Sequence, residues 1–104
     1  MVSSGDNELV KELVSMFRVQ VAEIYSEMRT LLNEKNYLAL GLLAHKAKSS
    51  VAIMGMEDLA EILKHFELQA KDGKDPEEYE SYITRFGEDT KSALVELDTL
   101  INNL

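Results

Sequence analysis

The apolar residues in the first third of the chain limit the possible folds more than any other feature of the sequence. Successive members are separated alternately by four and three residues, which places them along one stripe of a long helix. Such a seam is typical of a helix that packs nearly antiparallel against its neighbours. It predicts a first helix over about residues 6 to 33, capped by Asp6, whose stripe consists of Val10, Val14, Phe17, Val21, Ile24, Met28 and Leu31.

Two more helical segments follow after short links. Asn36 is the predicted N-cap of a second helix over about residues 36 to 54, because its side-chain oxygen can accept a hydrogen bond from a free backbone N–H. Gly55 is expected to end this helix in the left-handed conformation that glycine adopts easily. A third helix is expected over about residues 56 to 71.

The start of the fourth helix, expected over about residues 76 to 103, is the clearest boundary in the sequence. Asp75 is its predicted N-cap, Pro76 occupies the first helical position, and Glu78 completes an acidic variant of the capping box. Four helices with short links predict an all-α fold, an antiparallel up-down-up-down bundle that forms one domain over residues 1 to 104.

Several side chains are assigned to the core or its edge by their spacing. Gly87 and Thr90 interrupt the apolar stripe of the fourth helix, at a tolerable energetic cost. Three tyrosines are expected at the edge of the core with their hydroxyl groups pointing outward, namely Tyr25, Tyr79 and Tyr82. Four methionines are expected to pack in the core, namely Met16, Met28, Met54 and Met56.

The charge of the chain excludes some partners. Its net charge is -8 and its isoelectric point is near 4.7, which disfavours binding to nucleic acid and to anionic membranes. It contains no cysteine, so disulfides and thiol chemistry are excluded. No apolar run suits a transmembrane span and no secretory leader is recognisable, so we expect a cytoplasmic monomer.

The second helix carries polar residues where a simple bundle needs only apolar ones, in the stretch "LLAHKAKSSVAIMG" at residues 42 to 55. No acidic residue lies between Glu34 and Glu57, although 19 acids in 104 residues would place about four there. The acidic chain therefore contains a basic island whose local potential favours an anion.

His45 lies on the outer face of this helix. With a rotation of 100° per residue, it is about 140° from the centre of the core stripe. Apolar and small residues surround it, which is unusual for a solvated face and indicates that a partner covers this surface. Lys46 points away from the histidine and is assigned to docking or solubility. The other residues assigned to the partner-facing surface are Leu38, Gly41, Leu42, Ser49 and Ala52.

The chemistry that fits these residues is phosphoryl carriage. Imidazole has a reference pKa of about 6.5 and is a good nucleophile when neutral. Lys48, one turn after His45, can neutralise charge on an incoming phosphoryl group. The hydroxyl of Ser49 can donate a hydrogen bond to the phosphoryl oxygens.

The chain resembles the histidine-containing phosphotransfer (HPt) domains of multistep phosphorelays. This resemblance implies that His45 accepts a phosphoryl group from an aspartate of one receiver domain and passes it to another. It also implies that the receiver supplies Mg²⁺, that this chain binds no cofactor, and that it is not itself a kinase. The motif that carries the resemblance consists of His45, Lys48, Ser50, Gly55, Leu59 and the "HFE" of residues 65 to 67.

The resemblance also assigns roles to individual residues. It implies that Lys48 assists the phosphoryl group and that Glu67, on the following helix, lies close to His45. Response-regulator receivers and hybrid sensor kinases are the implied partners. Ser49 departs from the family pattern, which usually has glycine four residues after the histidine, and this difference bears on docking geometry and transfer rate.

Other interpretations remain open. In a non-catalytic adaptor, or in an oligomerising bundle, Leu38, Leu42 and Ala52 bind a partner and His45 is incidental. A hydrolase or transferase acting alone is disfavoured because the sequence has no phosphate-binding loop, catalytic triad or metal motif. His65 is a second candidate acceptor, but its helix flank is an ordinary solvated one.

Overall fold

A computed structural model describes residues 4 to 103 of the chain. These residues form four α-helices and one turn of 3₁₀ helix, with no strand among them, so the prediction of an all-α four-helix bundle is confirmed. The elements are α1 (Ser4–Asn33), α2 (Tyr37–Ile53), α3 (Glu57–Asp72), the 3₁₀ turn (Pro76–Glu78) and α4 (Tyr79–Asn102).

Contacts between distant parts of the sequence show how the helices pack. Ion pairs join Arg18 to Asp98 and Arg29 to Glu80, so α1 and α4 run antiparallel along each other. Helices α2 and α3 pack against each other more extensively than any other pair. Because α1 is the longest helix, its N-terminal end extends past the other helices.

The ends of α2 follow the sequence prediction. The side chain of Asn36 accepts a hydrogen bond from the backbone N–H of Ala39 at 3.3 Å. Gly55, after the last turn of α2, has a φ of 80°, a conformation that costs other residues energy because of their Cβ atom. The tight turn that this glycine permits brings α3 back along α2.

Two predicted caps differ from the structure, although Asp75 does precede a helical turn that begins at Pro76, as predicted. Helix α1 is already helical at Ser4, so Asp6 lies inside the helix rather than at its start. Asp75 has a left-handed backbone with a φ of 51° and makes no capping hydrogen bond through its side chain. A capping residue normally has an extended backbone that directs its side chain at the next turn, which the conformation of Asp75 prevents. The 3₁₀ turn therefore precedes α4, which begins at Tyr79.

The core contains most of the predicted stripes, with one clear exception. The side chains of Val14, Phe17 and Met28 on α1 are buried, and Val10 is partly exposed at the projecting end. Met16 is 65 % exposed, so its assignment to the core is wrong. It follows Val14 by two residues, a rotation of about 200°, and therefore points away from the core.

Tyr79 is completely buried, contrary to the prediction that its hydroxyl points outward. The hydroxyl shares its one hydrogen between the backbone carbonyls of Gln69 at 2.9 Å and Lys74 at 2.7 Å. It thus connects the start of α4 to the end of α3. Thr90 is also fully buried, with its hydroxyl bonded to the carbonyl of Phe86 at 2.6 Å, so it is part of the core.

Gly87 has a packing role in α4. A Cβ atom at this position would lie 2.7 Å from Cε1 of Tyr25 on α1, which is too close for a normal contact. The glycine therefore provides the space in which the tyrosine ring lies between α1 and α4.

We expect Tyr79→Phe to lower the free energy of unfolding by about 1–2 kcal/mol, because it leaves a buried carbonyl without its donor. Urea denaturation measures this loss. Tyr37→Phe, which removes the same hydroxyl from a half-buried ring packed against Tyr79, should change stability by less than about 0.5 kcal/mol. Equal effects of the two substitutions would contradict the role given to the buried hydroxyl.

Candidate functional site

His45 lies on the outer face of α2, and 56 % of its side chain is exposed. Its Nδ1 atom is 3.1 Å from both carboxylate oxygens of Glu67 on α3. Lys48, one turn further along α2, places its Nζ atom 3.4 Å from Oε1 of the same carboxylate. The structure thus brings together three of the residues singled out in the sequence, namely His45, Lys48 and Glu67.

Glu67 is buried, and its charge is balanced by several donors. Besides His45 and Lys48, Lys71 contacts it, with Nζ 2.7 Å from Oε2. Burial acts to raise the pKa of Glu67, but hydrogen bonds from Lys71 and His45 and the charge of Lys48 outweigh it. Together they lower the pKa of Glu67 from 4.5 to about 2, so the carboxylate is ionised at neutral pH.

The ionised carboxylate determines which ring nitrogen of His45 carries the proton. A carboxylate only accepts hydrogen bonds, so Nδ1 must be the donor in the contact with Glu67. In the neutral imidazole the other nitrogen, Nε2, then has a free lone pair. The site therefore holds a histidine whose inner nitrogen is occupied and whose outer nitrogen is available to react.

Gly41 allows α2 and α3 to approach closely at this site. It is buried, and a Cβ atom there would lie 2.8 Å from Cγ of Lys71 and 3.1 Å from the backbone oxygen of Glu67. The prediction that Gly41 belongs to the partner-facing surface is therefore wrong. Its position on the helix, one turn before His45, is rotated toward α3 rather than toward solvent.

Ser49 and Ser50 have different environments. Ser49 is exposed on the same face as His45, but its hydroxyl donates to the backbone carbonyl of His45 at 3.4 Å. Ser50 is buried and donates to the carbonyl of Lys46 at 3.3 Å. Neither hydroxyl contacts the imidazole ring in this structure, and a bond from Ser49 to a phosphoryl oxygen would replace the one it makes now.

Apolar side chains are exposed around His45. On α2, Leu38 and Leu42 are 62 % and 56 % exposed, and Ala52 is exposed beside them. Ile53, which the sequence reasoning did not select, is 84 % exposed. Ile53 directly follows Ala52 and is rotated by about 80° from His45, so its angle on the helix is consistent with the same exposed face.

A second part of this surface belongs to α1. Met16 and Val19 line a shallow groove of about 380 Å³ with Lys46 of α2. Lys46 thus faces α1 rather than the imidazole, as its helical angle indicated. We call the exposed residues of both helices the His45 surface, and it consists of Met16, Val19, Leu38, Leu42, Lys46, Ala52 and Ile53.

The other histidine and the acidic residues form no comparable site. His65 is exposed on α3, as expected for a solvated flank. Within residues 4 to 103, no group of three or more histidine, aspartate or glutamate side chains is placed to hold a metal ion. In the same range, no helix is both long and apolar enough to cross a bilayer.

Comparison with known families identifies the class of protein to which this bundle belongs. The family model of the Hpt domain matches residues 12 to 104, nearly the whole chain. The chain therefore belongs to the Hpt domain family, and the resemblance noted in the sequence is confirmed. Searches of curated proteins and of solved structures returned no match. Members of this family are phosphotransfer carriers of phosphorelays rather than kinases, and their partners are receiver domains.

We expect Glu67 to make the stability of the bundle sensitive to acid. Its pKa is lower in the folded state, so its contribution is complete above about pH 5 and is lost as the pH falls toward 2. The difference between 4.5 and about 2 corresponds to about 3 kcal/mol. Urea unfolding of the wild type at pH 7, 5 and 3 measures the part of this loss that occurs above pH 3, about 2 kcal/mol.

Glu67→Gln is the matched control, because it keeps the shape of the side chain but does not titrate. Its stability should fall less between pH 5 and 3 than that of the wild type. Glu80, whose pKa is lowered mainly by its hydrogen bond with Arg29, titrates in both proteins and does not affect the comparison. Equal losses in the two proteins would contradict the depressed pKa of Glu67.

Proposed function

We propose that His45 is the phosphoryl acceptor of this Hpt domain. It takes the phosphoryl group from an aspartate of one receiver domain and passes it to an aspartate of another. The observation that supports this most directly is the contact between Nδ1 and the ionised Glu67, which leaves the lone pair on Nε2 of an exposed ring. No other described histidine is held in this way, because His65 makes no such contact within residues 4 to 103.

The transfer step uses these groups as follows. The lone pair of Nε2 forms a bond to phosphorus while the bond from phosphorus to the receiver aspartate breaks, and the aspartate keeps the electron pair. The ring then carries a positive charge, with its proton still on Nδ1. Glu67, already ionised and 3.1 Å away, stabilises that charge. The reverse sequence delivers the phosphoryl group to the second receiver.

The two lysines at Glu67 have different roles in this proposal. Lys71 is held more closely, at 2.7 Å, whereas Lys48 is 3.4 Å from the carboxylate. Lys48 is also on α2 with His45. Its ammonium can turn to the phosphoryl oxygens and give up a weaker contact with Glu67 than Lys71 would. Glu67 keeps Lys71 as a partner when Lys48 turns away.

Mg²⁺ belongs to the receiver in this mechanism. Hard divalent cations bind to oxygen ligands such as carboxylates. Glu67 is the carboxylate that contacts His45, and its oxygens already accept bonds from His45, Lys48 and Lys71. This chain therefore contributes cationic groups to the phosphoryl group, and the receiver that carries the aspartate contributes the metal.

Receiver domains, whether in response regulators or in hybrid sensor kinases, would dock on the His45 surface. Transfer requires the reacting atoms to approach to about 3–3.5 Å, so the partner must cover the residues around the ring. Exposed apolar side chains such as Leu42 and Ile53 are typical of such interfaces. Ser49, where the family usually has glycine, adds a small side chain to this face.

A non-catalytic adaptor that uses the same apolar surface is the second candidate. The exposure of Leu38, Leu42 and Ile53 fits it equally well. It gives no reason, however, for a buried carboxylate that fixes the orientation of an exposed histidine. A test for phosphorylation of the protein therefore distinguishes the carrier from the adaptor.

We expect the purified protein to acquire an acid-labile phosphoryl group when it is mixed with a phosphorylated receiver domain and Mg²⁺. Several receivers are needed, because the partner depends on the fit of the surfaces. His45→Gln should abolish the labelling, whereas His65→Gln, which alters the exposed histidine of α3, should keep it. Labelling of the His45→Gln variant, or no transfer from any receiver, would contradict the proposal.

Leu42→Asp should weaken receiver binding about tenfold or more, because it places a charge inside the apolar part of the interface. Calorimetric titration with a receiver that phosphorylates the wild type measures this change. Leu100→Asp is the control, because Leu100 of α4 has almost the same exposure, 57 % against 56 %. If both substitutions weaken binding equally, the His45 surface is not where the receiver docks.

A further inference from the structure

Gly41 and Lys71 lie directly behind the contact between His45 and Glu67. We propose that they form a positioning pair, in which the missing side chain of Gly41 leaves space for the stem of Lys71, whose ammonium holds Glu67 against Nδ1 of His45. The pair thereby sets the ring tautomer that leaves Nε2 free. This inference deepens the proposed function and rests on it for its consequence in phosphoryl transfer.

The space at Gly41 is limited by the backbone of α3 as well as by a side chain. A Cβ atom there would lie 2.8 Å from Cγ of Lys71, 3.0 Å from its backbone nitrogen and 3.1 Å from the backbone oxygen of Glu67. A flexible side chain can move aside at little cost, but the backbone of a packed helix cannot. An added methyl group must therefore push α3 away from α2 at the residues that form the site.

The backbone conformation of Gly41 does not require glycine. Among the described glycines, positive φ angles occur at Gly55 and Gly73, whereas Gly41 is inside the regular helix α2. Glycine in a helix interior is less favourable than alanine by about 0.5–1 kcal/mol. The close approach of α3 is the feature of the structure that this unfavourable residue permits.

A small displacement of α3 is enough to change the site. Both carboxylate oxygens of Glu67 are 3.1 Å from Nδ1, near the long end of the normal range for a hydrogen bond. Moving α3 by a few tenths of an ångström would lengthen these contacts and disturb the 2.7 Å contact of Lys71 with Oε2. Glu67 is the group that accepts the hydrogen bond from Nδ1 of His45, and Lys71 of α3 and Lys48 of α2 contact the same carboxylate.

Gly41→Ala tests the pair, and Gly87→Ala is its matched control. Both substitutions add one methyl group to a helical glycine in close contact with a neighbouring helix, but Gly87 contacts Tyr25 of α1, away from His45. The tautomer of the ring is read from its nitrogen chemical shifts in ¹⁵N-labelled protein, at an alkaline pH where further increase no longer changes those shifts. His65, in the same spectra, is an internal reference.

We expect the wild type and Gly87→Ala to carry the His45 proton on Nδ1, and Gly41→Ala to show an increased share on Nε2. Phosphoryl transfer to Gly41→Ala should be slower by about tenfold, since small misplacements near reacting atoms have effects of this size. A folded Gly41→Ala protein with the wild-type tautomer would overturn the proposal. So would an equal change in Gly87→Ala, because that would indicate general loosening of the bundle.

Lys71→Ala is the second variant, and it decides the matter if Gly41→Ala does not fold. It removes both the side-chain stem that lies beside Gly41 and the ammonium group that holds Glu67. The fraction of His45 rings with the proton on Nε2 should therefore again increase. An unchanged tautomer would overturn the proposal. The tautomer is measured on unphosphorylated protein, so failure of transfer from receivers to the wild type would contradict the proposed function alone.

Discussion

The site depends on one buried carboxylate. Glu67 is shielded from water, and a buried charge is stable only when donors surround it. Here those donors come from both helices of the α2 and α3 pair, His45 and Lys48 from one and Lys71 from the other. The same interaction therefore fixes the contact between two helices and the orientation of the His45 ring, so the stability of the bundle and the geometry of the site are linked.

Glycine at two helix contacts makes such close packing possible. Gly41 lies between α2 and α3 behind the site, and Gly87 lies between α1 and α4 against Tyr25. The first contact involves the backbone of α3, and the second involves the ring of a single side chain. The contact between α2 and α3 at Gly41 is consequently less able to accommodate an added side chain than the contact between α1 and α4 at Gly87, and a pre-organised site benefits from a fixed helix contact.

The helices were predictable from the sequence because their signals are local. The spacing of the apolar residues identified α1, and Asn36 and Gly55 marked the ends of α2 through bonds within a few residues of each other. The outward face of His45 followed from the helical rotation. Met16 is exposed although its side chain is apolar, because its angle on the helix differs from that of Val14 by about 200°.

Features that depend on contacts between helices could not be predicted in this way. The backbone of Asp75 is left-handed, and the turn at this point is connected to α4 by the hydroxyl of Tyr79, which reaches two carbonyls outside its own helix. Lys71 was not identified because it lies four residues after Glu67 on a helix whose distance from α2 the sequence does not give. Gly41 was assigned to the wrong surface for the same reason.

The two faces of α2 explain how an acidic chain can present a basic surface around an exposed histidine. The inner face of α2 buries apolar residues. At the edge of that face, Glu67 of α3 forms ion pairs with Lys71 and, at a longer distance, with Lys48. The outer face has no acidic residue of its own helix near His45. The carboxylate that orients the ring thus comes from α3, at Nδ1, and α2 itself places no carboxylate beside Nε2. A carboxylate on α2 beside the ring would repel any anion that approaches it, so the position of the orienting carboxylate on α3 preserves the basic character of the outer face of α2.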